Sequence, residues 1–229
     1  HYTEGLRNWN PIWPNHGMRI LPGPSSMWFD AEGNRMPSPC LPGFDTLGTL
    51  KHILATGHEY SWFILTEKII RKEFSLSGSE QNPDLTGKDW KLLIKSRLGK
   101  APPPPVKAFI DHGEDFVTAK SLEELVAKMN KLTDSKLLDA THIRNQIEAR
   151  DREVTNRYSK DAQIMAIHNA RSYIGDKLTR AVPLHALLDP ANGPLIAVKL
   201  NILTRKTLGG LHTDINAAVL DKNGAPVVG

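Results

Sequence analysis

At 229 residues, with 40% hydrophobic and 24% charged side chains, the chain has the balance of an ordinary globular domain with appendages. Its net charge of +4 suits an anionic ligand but falls well short of the dense cationic stripe that nucleic acid requires. No apolar run reaches the roughly 18 residues of a membrane span, and the single Cys40 excludes an intramolecular disulfide framework, which favours a reducing, cytoplasmic setting. The first residue is His1, so targeting is not judged from this end.

Residues 1 to about 50 are rich in Pro, Gly and Trp, which predicts loops with short extended pieces. Within them MWFDAEGNRM reads as strand, turn, strand, with turn chemistry from Asp30 to Gly33 between apolar flanks. YSWFILT, 60 to 66, is a strand. EKIIRKEF continues it into a helix with Ile69, Ile70 and Phe74 on one side. The four prolines of APPPPVKAFI predict a stiff polyproline II spacer.

The middle of the chain reads as helical. SLEELVAKMNKL places Ser121 three residues before Glu124, a capping box, and then Leu122, Leu125, Val126, Met129 and Leu132 at helical spacing. A long polar helix is predicted through HIRNQIEARDREVTNRY. Its Arg144, Arg150, Arg152 and Arg157 alternate with acids in the pattern of a solvated, ion-paired face. PLIAVKLNI returns to strand, and AAVLDKNGAPVVG reads as a hairpin whose Asn-Gly supplies positive φ. IDHGEDF packs Asp111, His112, Glu114 and Asp115 together. Without a second histidine at ligand spacing it reads as a polar loop, and no metal is expected. His142, His168 and His185 read as surface or packing residues.

Gly209 and Gly210 follow the strand-like run near residue 200. By themselves they are most simply a bulge, although two residues without Cβ atoms also let a flat ligand approach the backbone. The order around them is an apolar run, T-x-G-G-L, and then V-L-D-x-x-G-x-P-V-x-G. This resembles the C-terminal part of the flavoproteins related to fumarate reductase, succinate dehydrogenase and 3-ketosteroid dehydrogenase. SSMWFDAEGNRMPSP, FDTLGTLKHILATG, YSWFILTEKIIRKEF and FVTAKSLEELVAKM resemble successive pieces of that family's cap domain. GPLIAVKLNILTRKTLGGL resembles the crossing back into its flavin domain.

The resemblance implies an α+β cap with a small mixed sheet and packed helices over 24–200. Residues 1–23 would be a fringe of the FAD-binding domain, and 201–229 the return into it. It implies FAD as cofactor, contacted by Thr207, Leu208, Gly209 and Gly210. The substrate would be a small molecule oxidised or reduced at a CH–CH bond next to a carbonyl or carboxylate. Where fumarate-reducing members hold a substrate carboxylate with histidine, this chain has Arg205 and Lys206. Their cap arginine, the proton donor, finds its nearest match in Arg71, for which a solvated arginine beside Lys72 and Glu73 is the competing reading. Tyr60 is the tyrosine best placed by sequence for acid–base work, Tyr158 and Tyr173 fall in helical segments, and none is assigned. The G-x-G-x-x-G fingerprint of the flavin domain and its Tyr-Ala-Ala-Gly-Glu-like segment are both absent from these 229 residues. The expectation is therefore a substrate-side fragment whose partner is the rest of its own FAD-binding domain, and which binds no FAD by itself. The competing class is a stand-alone α+β binding module with a mildly basic face.

Overall fold

The fold is known from a computed structural model, which describes residues 20–21, 23–76, 91, 99, 101–202 and 210–227. Four strands form the central sheet: β2 (Met27–Phe29), β3 (Tyr60–Thr66), β5 (Phe116–Ala119) and β6 (Leu195–Asn201), in the order β2-β3-β6-β5. Every neighbouring pair is antiparallel, so the expected mixed sheet is corrected to an antiparallel one. The reason lies in the connections. β6 returns beside β3 across more than a hundred residues and runs against it, with Tyr60 opposite Asn201 and Thr66 opposite Leu195. A second, two-stranded ladder joins β1 (Ile20–Leu21) to β4 (Ser75–Leu76).

The sequence of β3 explains its central position. From Ser61 to Thr66 every residue is buried, so both faces are covered, as expected for a continuous apolar run. Phe63 and Ile64 stand opposite Val198 and Ala197 of β6. Trp28 on β2 meets Phe63 edge to face at 4.9 Å. The hairpin after β2 turns at Asp30, whose Oδ1 accepts from the backbone N–H of Glu32 and Asn34, while Gly33 takes φ +84. The same device recurs at Asp221, whose Oδ1 accepts from Asn223 and Ala225. There Gly224 alone takes the positive φ, so the expected contribution of Asn223 is not seen.

The described helices are α1 (Thr46–Ala55), α2 (Glu67–Glu73), α3 (Pro104–His112), α4 (Leu122–Asn130), α5 (Ala140–Arg152), α6 (Ala162–Ser172) and α7 (Ile174–Thr179). In α4, Ser121 accepts from Glu124 N, as the capping box requires. The return bond from Glu124 goes to Lys120 N, one residue earlier than expected. Leu122, Leu125, Val126 and Met129 are buried against the sheet, each contributing about 1.5–3 kcal/mol.

Two sequence expectations fail here. The proline run is not a spacer: Pro103 is extended, but Pro104 opens α3. Proline is tolerated there because first-turn amides have no helical partner anyway. The polar helix ends at Arg152, short of Arg157 and Tyr158, and its face is not uniformly solvated, because Arg150 is 1% exposed. Among the described residues no helix is long and apolar enough to cross a membrane.

Candidate functional site: an apolar groove beside a buried glutamate

A groove of about 590 Å³ opens between four parts of the chain. One wall is α6. Its Ala162, Met165, Ala166, Asn169 and Ala170 recur at helical spacing and line the groove, while Gln163, Ile164 and Ile167 turn the other way and are buried. The helix is therefore apolar on two faces. One packs on the core, and the other is left for an occupant. Pro42, Gly43 and Phe44 form the second wall, Pro24 and Ala181 a third, and Asp176 with Arg180 complete the lining.

Short polar contacts fix these walls. Asp161 caps α6 by accepting from Gln163 N and Ile164 N, and it also takes two hydrogen bonds from Arg35 at 2.6 and 3.0 Å. Burial works to raise the Asp161 pKa, but Arg35 and the backbone donors prevail and hold it below the usual value. Gln163 donates to the carbonyls of Pro24 and Ser26, which binds the 24–26 segment to α6. Gln146 of α5 accepts from Arg35 N and donates to Gly33 O, so the β2 hairpin is held from a third side.

Beneath the groove lies Glu73, 2% exposed, at the end of α2. Its Oε2 accepts from Ser25 N at 2.9 Å, and its Oε1 accepts from Ser25 Oγ at 2.7 Å and Val182 N at 2.8 Å. Ser25 follows Pro24 and Val182 follows Ala181, so one carboxyl group holds both backbone segments of the third wall. The contact is close enough that a Cβ on Gly23 would lie 2.5 Å from Glu73 Oε2. Burial pushes the Glu73 pKa up to about 7, against the pull of Ser25 and Val182.

A second buried network holds the chain beyond Val182. His185 Nδ1 is 2.8 Å from Pro183 O and must donate to it. In the neutral ring Nε2 then accepts, at 2.9 Å, from the hydroxyl of Thr66, which itself accepts from Ile69 N at the start of α2. Burial lowers the His185 pKa, which keeps the ring neutral. Arg150 donates to His185 O at 2.7 Å and to Asp151 Oδ1 at 2.8 Å. The expected surface arginine is thus a buried tie, and His185 a packing residue, as read from the sequence.

Of the residues singled out in the sequence, Arg71 lies half-buried in α2, two positions from Glu73, and does not line the groove. Arg205, Lys206, Thr207, Leu208 and Gly209 lie outside the described residues. Gly210 is exposed, and a Cβ there would meet nothing within 4 Å. Tyr60 lies on β3 with its hydroxyl 3.3 Å from Ser135, and Tyr158 and Tyr173 are exposed outside the helices. Asp111 pairs with Lys107, and no cluster of metal-ligating side chains occurs among the described residues. Sequence reasoning missed the Glu73 latch and the groove; the available signal was an acid at an apolar helix position and a helix apolar on two sides.

The described residues do not make a cradle for the pyrophosphate of FAD. The N-termini of α1, α2, α4, α5 and α6 are each closed by their own cap, from Asp45, Thr66, Ser121, Asp139 and Asp161. Three of these caps are carboxylates, which would repel a phosphate; α3 has no side-chain cap but opens on prolines, which have no N–H to offer, and α7 has none but carries Asp176 in its first turn.

A family model described as FAD binding domain matches residues 1–229, and the chain belongs to that family. It is 60% identical, over all 229 residues, to a KsdD-like steroid dehydrogenase of Mycobacterium tuberculosis, and 59% identical over 224 residues to one of Mycolicibacterium smegmatis. It spans only 40% and 41% of the lengths of these relatives. Among solved structures, 90% of the chain matches 31% of the 3-ketosteroid delta1-dehydrogenase of Sterolibacterium denitrificans, at 19% identity and a TM-score of 0.50. That likeness concerns the fold.

Proposed function

We propose that this chain is the substrate-side part of an FAD-dependent dehydrogenase. In this reading it removes hydrogen from a CH–CH bond next to a carbonyl in a steroid-like molecule. The observation that carries the reading is the groove: its volume lies within the range of small-molecule sites, and its lining is mostly apolar with a few polar groups. The 60% identity to steroid dehydrogenases over the full chain supports it against a stand-alone binding module.

The flavin, when bound to the full-length protein, supplies the redox chemistry. What this chain supplies is a wall that binds and orients the substrate and keeps water from it. The alanines of α6 present a flat surface to a flat ring system, and Glu73 keeps Pro24 and Ala181 in place against it. Residues 24–200 act as the cap. Residues 1–23 and 201–229 would belong to the flavin-binding part, where Thr207, Leu208, Gly209 and Gly210 would help to hold the flavin and Arg205 and Lys206 would help to hold the substrate. Arg71 stands as the cap's candidate proton donor.

Two variants of the full-length protein test this reading. Gly209→Val should lower flavin content, because a branched side chain fills the space of the ring. Ala166→Trp should leave flavin content unchanged and weaken binding of androst-4-ene-3,17-dione, measured by calorimetry. Unchanged steroid affinity in Ala166→Trp would show that the groove is not the substrate site.

A further inference from the structure

The groove is not uniformly apolar, and its polarity has a sign. Of its twelve lining residues nine are Gly, Ala, Pro, Phe or Met and three are polar: Asn169, Asp176 and Arg180. The backbone carbonyl of Asp176 accepts from Arg180 N and Ala181 N, so the two side chains emerge from one turn at the end of α7. Arg180 is exposed, and among the described residues its guanidinium forms no ion pair.

Further cations gather at the same place. Arg171 donates to Ala181 O at 2.6 Å and Lys72 donates to Lys177 O at 2.9 Å, which brings α2 and the end of α6 up to α7. Lys72 has its pKa lowered, first by burial and then by the charge of Arg171. Lys177 adds another, and against them stand Asp176 and the buried Glu73. An anion entering the groove here meets a positive field over a low-dielectric wall. A neutral steroid would leave that field unused.

We propose that the groove takes an amphipathic ligand, a flat apolar body carrying one carboxylate, with Arg180 as the residue that pairs with the carboxylate. The inference rests on the groove being the substrate site, and it adds that acidic ring compounds are preferred over neutral ones. Geometry and charge agree. Ala162, Ala166 and Ala170, one turn apart on α6, form a strip of small side chains for the apolar body, flanked by Met165 and Asn169. The guanidinium, which cannot lose its proton near neutral pH and presents a planar fork, suits a carboxylate.

The test uses the full-length protein and two probes with one ring system, androst-4-ene-3,17-dione and 3-oxoandrost-4-ene-17β-carboxylic acid. Affinities are measured by calorimetry for the wild type, Arg180→Ala, Arg180→Lys and Ala166→Trp. The expected result is that the acid binds the wild type about 10-fold more tightly than the dione, as one charge-assisted pair allows. Arg180→Ala should lose that advantage by weakening the acid far more than the dione, Arg180→Lys should keep part of it, and Ala166→Trp should weaken both ligands. If Ala166→Trp weakens both ligands but Arg180→Ala leaves the acid unaffected, or weakens acid and dione equally, the role of Arg180 is overturned while the groove stands. If Ala166→Trp changes neither affinity, the ligand lies elsewhere or another part of the protein fills the groove, and both readings fall.

Discussion

Glu73 and Ser25, 48 positions apart, are joined twice: Ser25 N donates to one carboxyl oxygen at 2.9 Å and Ser25 Oγ to the other at 2.7 Å. Val182 N, 109 positions away, donates to the same group. Three segments that share no secondary structure are held at one buried point beneath the groove.

Glu73→Ala should therefore be among the most damaging single changes in this chain. It leaves Ser25 N, Ser25 Oγ and Val182 N buried without a partner and opens a void. At about 1–3 kcal/mol for each orphaned group, the expected loss is roughly 3–5 kcal/mol in urea unfolding. A loss below about 1 kcal/mol would mean that water or another donor replaces the carboxyl group.

The same residue gives a pH dependence with a definite sign. Its folded pKa of about 7 lies above the 4.5 of the free side chain, so the folded state holds the proton more tightly. The stabilisation linked to this group is full below pH 4.5 and is lost as pH rises through about 7. The amount is on the order of 3 kcal/mol, a net figure in which the opposing pull of the Ser25 and Val182 donors is already included. Unfolding of wild type and Glu73→Gln should be compared between pH 5 and 8. The wild type should lose stability over that interval, and the Gln variant should lose less. Parallel profiles would contradict the assignment.

Arg150 and Arg152 lie two positions apart on α5 and should behave oppositely. Arg150→Ala removes the donor to His185 O and Asp151 from a buried place and should cost about 3 kcal/mol or more. Arg152 is exposed, and its replacement by Ala should stay within about 0.5 kcal/mol. Equal effects in thermal or urea denaturation would show that the Arg150 network is not a tie.

The 229-residue chain alone should bind no FAD with useful affinity. The N-termini of α1, α2, α4, α5 and α6 are closed by their own caps, α3 opens on prolines that have no N–H to offer, and α7 carries Asp176 in its first turn; a few bonds of about 1 kcal/mol each cannot offset the cost of immobilising so large a ligand. Calorimetry or flavin fluorescence of the purified chain with FAD checks this. A dissociation constant in the low micromolar range (about −8 kcal/mol) or tighter would show that the chain holds more of the cofactor site than its motifs indicate.

The sheet and its neighbours were legible in the sequence because their signals are local. Turn chemistry at Asp30 and Gly33, the continuous apolar run of β3, and Ser121 before the periodic face of α4 each act within a few residues. Glu73 and Arg150 were not legible, because what sets their burial arrives from far along the chain. Val182 covers one and His185 the other, and a charged residue beside Lys72 or Asp151 reads as solvated until that segment is placed. The groove was hidden for the same reason: α6 shows two apolar faces, but only the fold tells which of them the core takes. The sense of the sheet was missed because it depends on a connection of more than a hundred residues, to which strand patterns are blind.

The most direct test of the account is the binding of androst-4-ene-3,17-dione to the full-length protein before and after Ala166→Trp, with flavin content measured on the same samples. The account predicts full flavin content and at least about 10-fold weaker steroid binding, because the indole fills the wall against which the ring system lies. Unchanged steroid affinity at full flavin content would contradict it and place the substrate outside this groove.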